Sequence, residues 1–426
     1  MRAHVDVSTS IAHDIARARV SPPPGARVNF FPILSRRVRR TTTRARPSND
    51  ARIDAASCPR APAAGNDDVI VARPVHARAS RGLARARDGG VKTSRMAVDA
   101  ARALRDRALP MEARFTALFR LRSLGDDRSV DALLDALDAS VEPSALLRHE
   151  CAFALGQMRA GRAIERLIEV MEDEGEDGMV RHECAEALGA MARSESRAID
   201  ALTRACGSST REVSETASLA LRKLKSGSVD TGSTVGSAKE RASANERVVD
   251  GDDESGATPY LSVDPVPAMA ASTPMETLER VVLDDTEDMY ARYGAMFALR
   301  NASYASASSS DACADVLGRV LATSESALLK HEVCYVLGQL QSASPGARDA
   351  LVRCLEDARE HPMVRHEAAE ALGSIAHPST KDYLETFAKD SEPIIAESCE
   401  VALSIMRAEQ DNVFIGVDGT VTVIGT

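Results

Sequence analysis

The sequence predicts an all-α protein, an α-solenoid of about eight helical hairpins arranged as two symmetric halves of four. Composition, a short internal repeat and a longer one predict it. Hydrophobic residues make up 44% of the 426 residues, yet aromatic residues only 3%, and Trp is absent. The commonest apolar residue is Ala, which with Leu favours helices, and the aromatic residues on which sandwiches and barrels draw are scarce. LLRHECAFALGQM (146–158), MVRHECAEALGAM (179–191), LLKHEVCYVLGQL (328–340) and MVRHEAAEALGSI (363–375) are four copies of one segment. Neighbouring copies are 33 residues (His149 to His182) and 35 residues (His331 to His366) apart. The two pairs are related by shifts of 182 and 184 residues, and MEARFTALFRLR (111–122) returns as MYARYGAMFALR (289–300). The chain is therefore a duplicated repeat block.

Residues 1–95 hold eighteen Arg, one Lys, seven Asp and no Glu, a net charge of +12. Rich in Ser, Thr and Pro and without helical periodicity, they read as a basic disordered arm, an organellar transit peptide, or a gene-model artefact ahead of a true start at Met96. Residues 96–225 are the first half, with units at about 97–125, 128–159, 162–193 and 196–225. Residues 226–274 are an acidic Ser/Gly-rich linker, whose stretch 226–259 has little to bury. Residues 275–406 are the second half, with units at about 275–301, 310–341, 346–376 and 379–406. In the tail, 407–426, VFIGVDGTVTVIG sets a D-G turn between two β-branched runs, a small hairpin that is marginal alone. Each unit contains two helical stretches, such as RAIERLIEVMED followed by MVRHECAEALGAM, the building block of a solenoid. The pattern V-R-x-x-A-x-x-A-L-G-x-I/M on the second stretch resembles HEAT repeats.

Several function classes are excluded or disfavoured. No stretch approaches the roughly 20 consecutive apolar residues that a membrane-spanning helix needs. The eight Cys form no CxxC pair, which points to a reducing compartment; the expected location is cytoplasmic, with organellar targeting by residues 1–95 as the variant. The whole chain carries -10, so the 331 residues after the basic arm carry -22 and favour cationic partners over nucleic acid. No phosphate loop and no Ser/His/Asp or Cys/His hydrolytic arrangement is recognisable.

Four of the nine His are followed directly by Glu, at one register of the repeat: His149-Glu150, His182-Glu183, His331-Glu332 and His366-Glu367. Their neighbours have drifted, since the residue four past the His is Phe153, Glu186, Tyr335 or Glu370. Retention beside drift needs a shared reason. At about 100° per residue, the apolar positions Val180, Ala185, Leu188 and Met191 cluster near 220° from the His, so the His at 0° and the Glu near 100° straddle the opposite direction. Both leave the packed face for the surface lined by the row of second helices, usually the concave one. If the halves face each other, eight ligand-type side chains converge. Imidazoles with carboxylates and no thiolates suit iron, manganese or zinc, in numbers sufficient for two ions. The HExxH spacing is absent. Cys151 and Cys184 give way to Val333 and Ala368 in the second half and read as small core residues. His361 and His377, beside Pro, read as surface residues.

Four His-Glu motifs in two HEAT-like blocks, with LGQM and LGQL after the first pair of each half and PMVRHEAAEALG in the last, resemble the deoxyhypusine hydroxylase family over about residues 97–406. The resemblance implies a non-haem di-iron (Fe2+) monooxygenase. It would use O2 and a reductant to hydroxylate the deoxyhypusine side chain of the precursor of the hypusine-containing translation initiation factor. It implies one iron held by His149, His182 and Glu183 and the other by His331, His366 and Glu367. Glu150 and Glu332 are ligands by motif or receive the substrate instead. An acidic groove with Glu150, Glu332, Glu186 and Glu370 complements a side chain that carries amines. The chain departs from the family in its N-terminal extension, its longer acidic linker and its tail. The competing readings are a non-catalytic HEAT-repeat scaffold for a basic protein partner and a HEAT-like lyase acting on a bilin. Neither requires paired metal ligands.

Overall fold

The computed structural model describes residues 95–191, 195–227, 262–410, 413–415 and 421–423. Residues 1–94 and 228–261, which carry the proposed arm and most of the proposed linker, lie outside them. Helices follow one another in pairs. In the first half they are α1 (95–105) with α2 (Met111–Leu124), α3 (Asp127–Ala136) with α4 (Ala145–Gln157), α5 (Ile164–Glu172) with α6 (Gly178–Met191), and α7 (Ser196–Ala205) with α8 (Arg211–Gly227). In the second half they are α9 (Met275–Leu283) with α10 (Met289–Ala302), α11 (Ala307–Thr323) with α12 (Ala327–Leu340), α13 (Pro345–Glu356) with α14 (Pro362–Ile375), and α15 (Lys381–Phe387) with α16 (Pro393–Gln410). After α16, β1 (Val413–Ile415) pairs antiparallel with β2 (Val421–Val423), with Phe414 opposite Thr422. Among the described residues no helix is long and apolar enough to cross a membrane.

Local chemistry starts and stops these helices. Ser144 and Ser326 cap α4 and α12 by accepting the Leu147 and Leu329 N–H at 3.1 Å, each a cap worth about 1 kcal/mol. Gly125, at φ 64°, ends α2 in the left-handed conformation that costs glycine nothing. The Gly of the repeated A-L-G holds consecutive units together, because a Cβ on Gly156 would stand 2.9 Å from the Ala187 Cα of the next unit.

A second device is the basic residue immediately before the repeated His. The Arg181 and Arg365 Nε donate to the Met171 and Leu355 carbonyls of the preceding helix at 2.9 and 3.0 Å. Arg114 and Arg292 do the same to Leu104 and Val282 at the corresponding position of their units. The guanidinium then reaches the next unit, Arg148 to Glu176 and Arg365 to Asp390, each at 2.6 Å. Each guanidinium staples its own hairpin and the following one.

The second helices pack in rows, α2–α4–α6–α8 and α10–α12–α14–α16, and the rows close on each other. At one junction α8 meets α10 and α12; at the other α16 meets α2 and α4. The junctions are related by the duplication. Ser326 Oγ donates to Glu215 on α8 at 2.9 Å, and Ser144 Oγ donates to Glu397 on α16 at 2.6 Å. Arg222 pairs with Asp288 across the first, and Arg407 with Glu112 at 3.0 Å across the second. The surface lined by the second helices is thus enclosed, and the polar positions pointing into it are buried.

Candidate metal centre

The four His-Glu segments occupy α4, α6, α12 and α14, and ring closure brings them together at the centre. The imidazole centroid of His149 lies 5.6 Å from His182, 5.9 Å from His331 and 5.4 Å from His366. His331 lies 5.3 Å from both His182 and His366. His182 and His366 are fully enclosed, while His149 and His331 are 3% and 6% exposed. The carboxylates are interleaved. His149 Nδ1 stands 3.3 Å from Glu150 and its Nε2 3.4 Å from Glu183, while His331 Nε2 stands 3.5 Å from Glu367.

These approaches lack hydrogen-bond alignment, so among the described residues none of the eight ring nitrogens has a hydrogen-bond partner. Buried polar atoms are ordinarily satisfied, and each one left bare costs about 1–3 kcal/mol. Eight bare imidazole nitrogens in one cavity fit a set of metal ligands. The ligating atoms of His149, His182 and His331 lie within 4.8 Å of one another, as do those of His331, His366 and Glu367. The second trio belongs to one half. The first crosses between halves, with Glu183 beside His149.

Electrostatics divides the groups. Burial opposes charge on every imidazole, and it holds His182, His331 and His366 well below the ordinary range, helped by repulsion from the neighbouring rings. They are neutral at pH 7, the form that binds metals. For His149 burial is outweighed by Glu150 and Glu183, which hold it well above that range. Burial also pushes the carboxyls of Glu186, Glu332, Glu367 and Glu370 well above theirs, each reinforced by neighbouring carboxylates. Such a pocket gains by admitting positive charge. Burial likewise keeps Cys151 and Cys184 as thiols, in line with their reading as core residues.

Residues one turn past the His line the way in: Phe153 and Tyr335, edge to face at 6.2 Å, with Glu186 and Glu370. Ser262, Val263, Asp264 and Pro265 complete the lining. They stand near the end of the 226–274 linker, where Pro265 and Val266 are buried. The Val263 N–H donates to Gln157 Oε1 at 2.9 Å, Lys223 Nζ to the Asp264 carbonyl at 2.7 Å, and Arg300 to the Asp264 carboxylate at 2.8 Å. A strap tied to both halves therefore lies across the mouth. Its sequence signal is slight, a turn from Ser/Gly-rich composition to SVDPVP. His361 and His377 lie outside the cluster and cap α14 and the single turn Pro378–Thr380, their Nδ1 accepting the Met363 and Ser379 N–H at 3.3 and 3.2 Å.

Residues 139–222 and 314–404 match HEAT repeats, and residues 113–139 match the PBS lyase HEAT-like repeat. Fold and site together define a HEAT-repeat protein whose two halves enclose a His/Glu centre able to hold metal ions. Among curated proteins the chain is 43% identical to deoxyhypusine hydroxylase-B of Oryza sativa subsp. japonica over 307 residues, which cover 72% of this chain and 91% of that one. It is 41% identical to human deoxyhypusine hydroxylase over 312 residues, 73% and 91% of the two chains. The solved structure of human deoxyhypusine hydroxylase in complex with glycerol superposes with a TM-score of 0.64 at 38% identity, covering 75% of this chain and 98% of that one. The chain belongs to the deoxyhypusine hydroxylase family.

Proposed function

We propose that this protein hydroxylates the deoxyhypusine side chain of the precursor of the hypusine-containing translation initiation factor, as a non-haem di-iron monooxygenase using O2 and a reductant. The observation that carries this reading is the group of eight bare ring nitrogens among carboxylates in a family named for that hydroxylation. His149, His182 and Glu183 would hold one iron, and His331, His366 and Glu367 the other. Bound there, a pair of irons supplies the two electrons needed to activate O2 toward an unactivated C–H bond.

The chain's own residues do the rest. Phe153 and Tyr335 flank the methylenes of an unbranched chain. Glu150, Glu332, Glu186 and Glu370 receive its amines, and an arriving ammonium favours the ionised form of the Glu186, Glu332 and Glu370 carboxyls, which burial holds well above their ordinary range. Closure of the two rows keeps bulk water away from the imidazoles. A non-catalytic scaffold would account for the repeats and the acidity, but not for the bare ring nitrogens.

Metal analysis beside substrate binding tests the assignment. His149→Ala, His182→Ala, His331→Ala, His366→Ala, Glu183→Ala and Glu367→Ala are expected to lower bound iron. Glu150→Ala and Glu332→Ala should retain most of it and weaken binding of the deoxyhypusine-bearing protein by about 1.5–3 kcal/mol each, the value of a hydrogen bond to a charged group. Loss of iron from those two variants would make all eight residues ligands. Wild-type protein that purifies without iron and binds none would overturn the reading.

A further inference from the structure

Most of the lining comes in pairs related by the duplication: His149 and His331, Phe153 and Tyr335, Glu186 and Glu370. The strap comes once. It is held from both halves, at Gln157 and Lys223 of the first and Arg300 of the second, but its carboxylate, Asp264, goes to Arg300, which is 1% exposed and whose Nη1 also donates to Gln339 Oε1 at 3.2 Å. The duplication partner of Arg300 is Arg122, the last residue of MEARFTALFRLR as Arg300 is of MYARYGAMFALR.

Arg122 stands differently. Half-buried, it rests over Phe119 and Phe153 with its guanidinium carbon 5.6 and 5.9 Å from the ring centroids. Among the described residues it has no ion pair, though it feels the charge of Glu150 and stands near Tyr335. A partly desolvated guanidinium without a carboxylate retains donors for an incoming acceptor. Arg300 is thus claimed by the strap, while Arg122, over the Phe153 that lines the way in, is not.

We propose that the protein carrying the reactive side chain docks on the Arg122 side of the mouth, where Arg122 binds carbonyl oxygens or a carboxylate of the polypeptide flanking that side chain. Arg300, 1% exposed and engaged by Asp264, is not open to it. This rests on the proposed function for the identity of the docking protein; the asymmetry of the mouth stands without it.

The test is calorimetric binding to the iron-loaded protein of two probes: the full deoxyhypusine-bearing protein, and spermidine as a free linear amine with no polypeptide. Arg122→Gln should raise Kd for the protein probe about tenfold, while the spermidine Kd and the iron content stay within about twofold. Arg122→Lys, which keeps the charge but not the planar fork of donors, should fall between. It carries the same comparison if Arg122→Gln does not fold. Unchanged affinity of Arg122→Gln for the protein probe would overturn the docking side, as would a parallel loss for spermidine. Wild type that binds spermidine but not the protein probe would instead overturn the proposed function, and the docking with it.

Discussion

Removing the metal should cost this protein more stability than its exposed ion pairs contribute. The four imidazoles are at most 6% exposed and all eight nitrogens lack partners. Unfolding returns them to water. Even about 1 kcal/mol per imidazole, the low end for a buried unsatisfied group, penalises the metal-free fold by about 4 kcal/mol. Metal held 100-fold above its Kd adds about 2.7 kcal/mol per ion, or about 5 kcal/mol for two. At about 2–4 °C per kcal/mol for a domain of this size, loaded and stripped protein should melt roughly 10–20 °C apart. Circular dichroism melts under anaerobic conditions, with and without a chelator and with metal content measured on the same samples, give the difference. Melting points within about 2 °C, with two ions confirmed in the loaded sample, would refute the inference that the bare nitrogens are ligands.

Other perturbations probe single devices. Burial holds the Glu370 carboxyl well above its ordinary range, so in metal-free protein its stability contribution is lost as pH rises past the ordinary value of about 4.3. Glu370→Gln should therefore be more stable than wild type by a margin that is larger at pH 8 than at pH 5 in urea unfolding, and an equal margin would count against it. Arg365→Met leaves the Leu355 carbonyl and the Asp390 carboxylate without their partner. Leaving these partly buried partners unpaired costs about 1–3 kcal/mol, and calorimetry should show Tm lower by at least about 2 °C. Asp264→Asn loosens the strap from Arg300: the Val263 amide should exchange with solvent at least about tenfold faster, while exchange in α4 and α12 stays unchanged.

The helical class, the duplication and the eight His and Glu residues were legible in the sequence because each repeats. The helical period makes Val180, Ala185 and Leu188 share one face, and all three are buried. The same period directs His182 and Glu183 to the other face, without saying what covers that face. Cover comes from the opposite half, through contacts such as Ser144 with Glu397, 253 residues apart. Whether a row of hairpins stays open or closes depends on small rotations accumulated from unit to unit, which no single repeat encodes. Tertiary structure alone therefore decided that the four imidazoles are enclosed, that one ligand trio crosses between halves, and that burial keeps three of them neutral. It also decided the fate of the strap. Asp264 stands in a segment that its composition marks only slightly, and the segment acquires a role because Arg300, Lys223 and Gln157 meet it there from two halves that the chain order keeps apart.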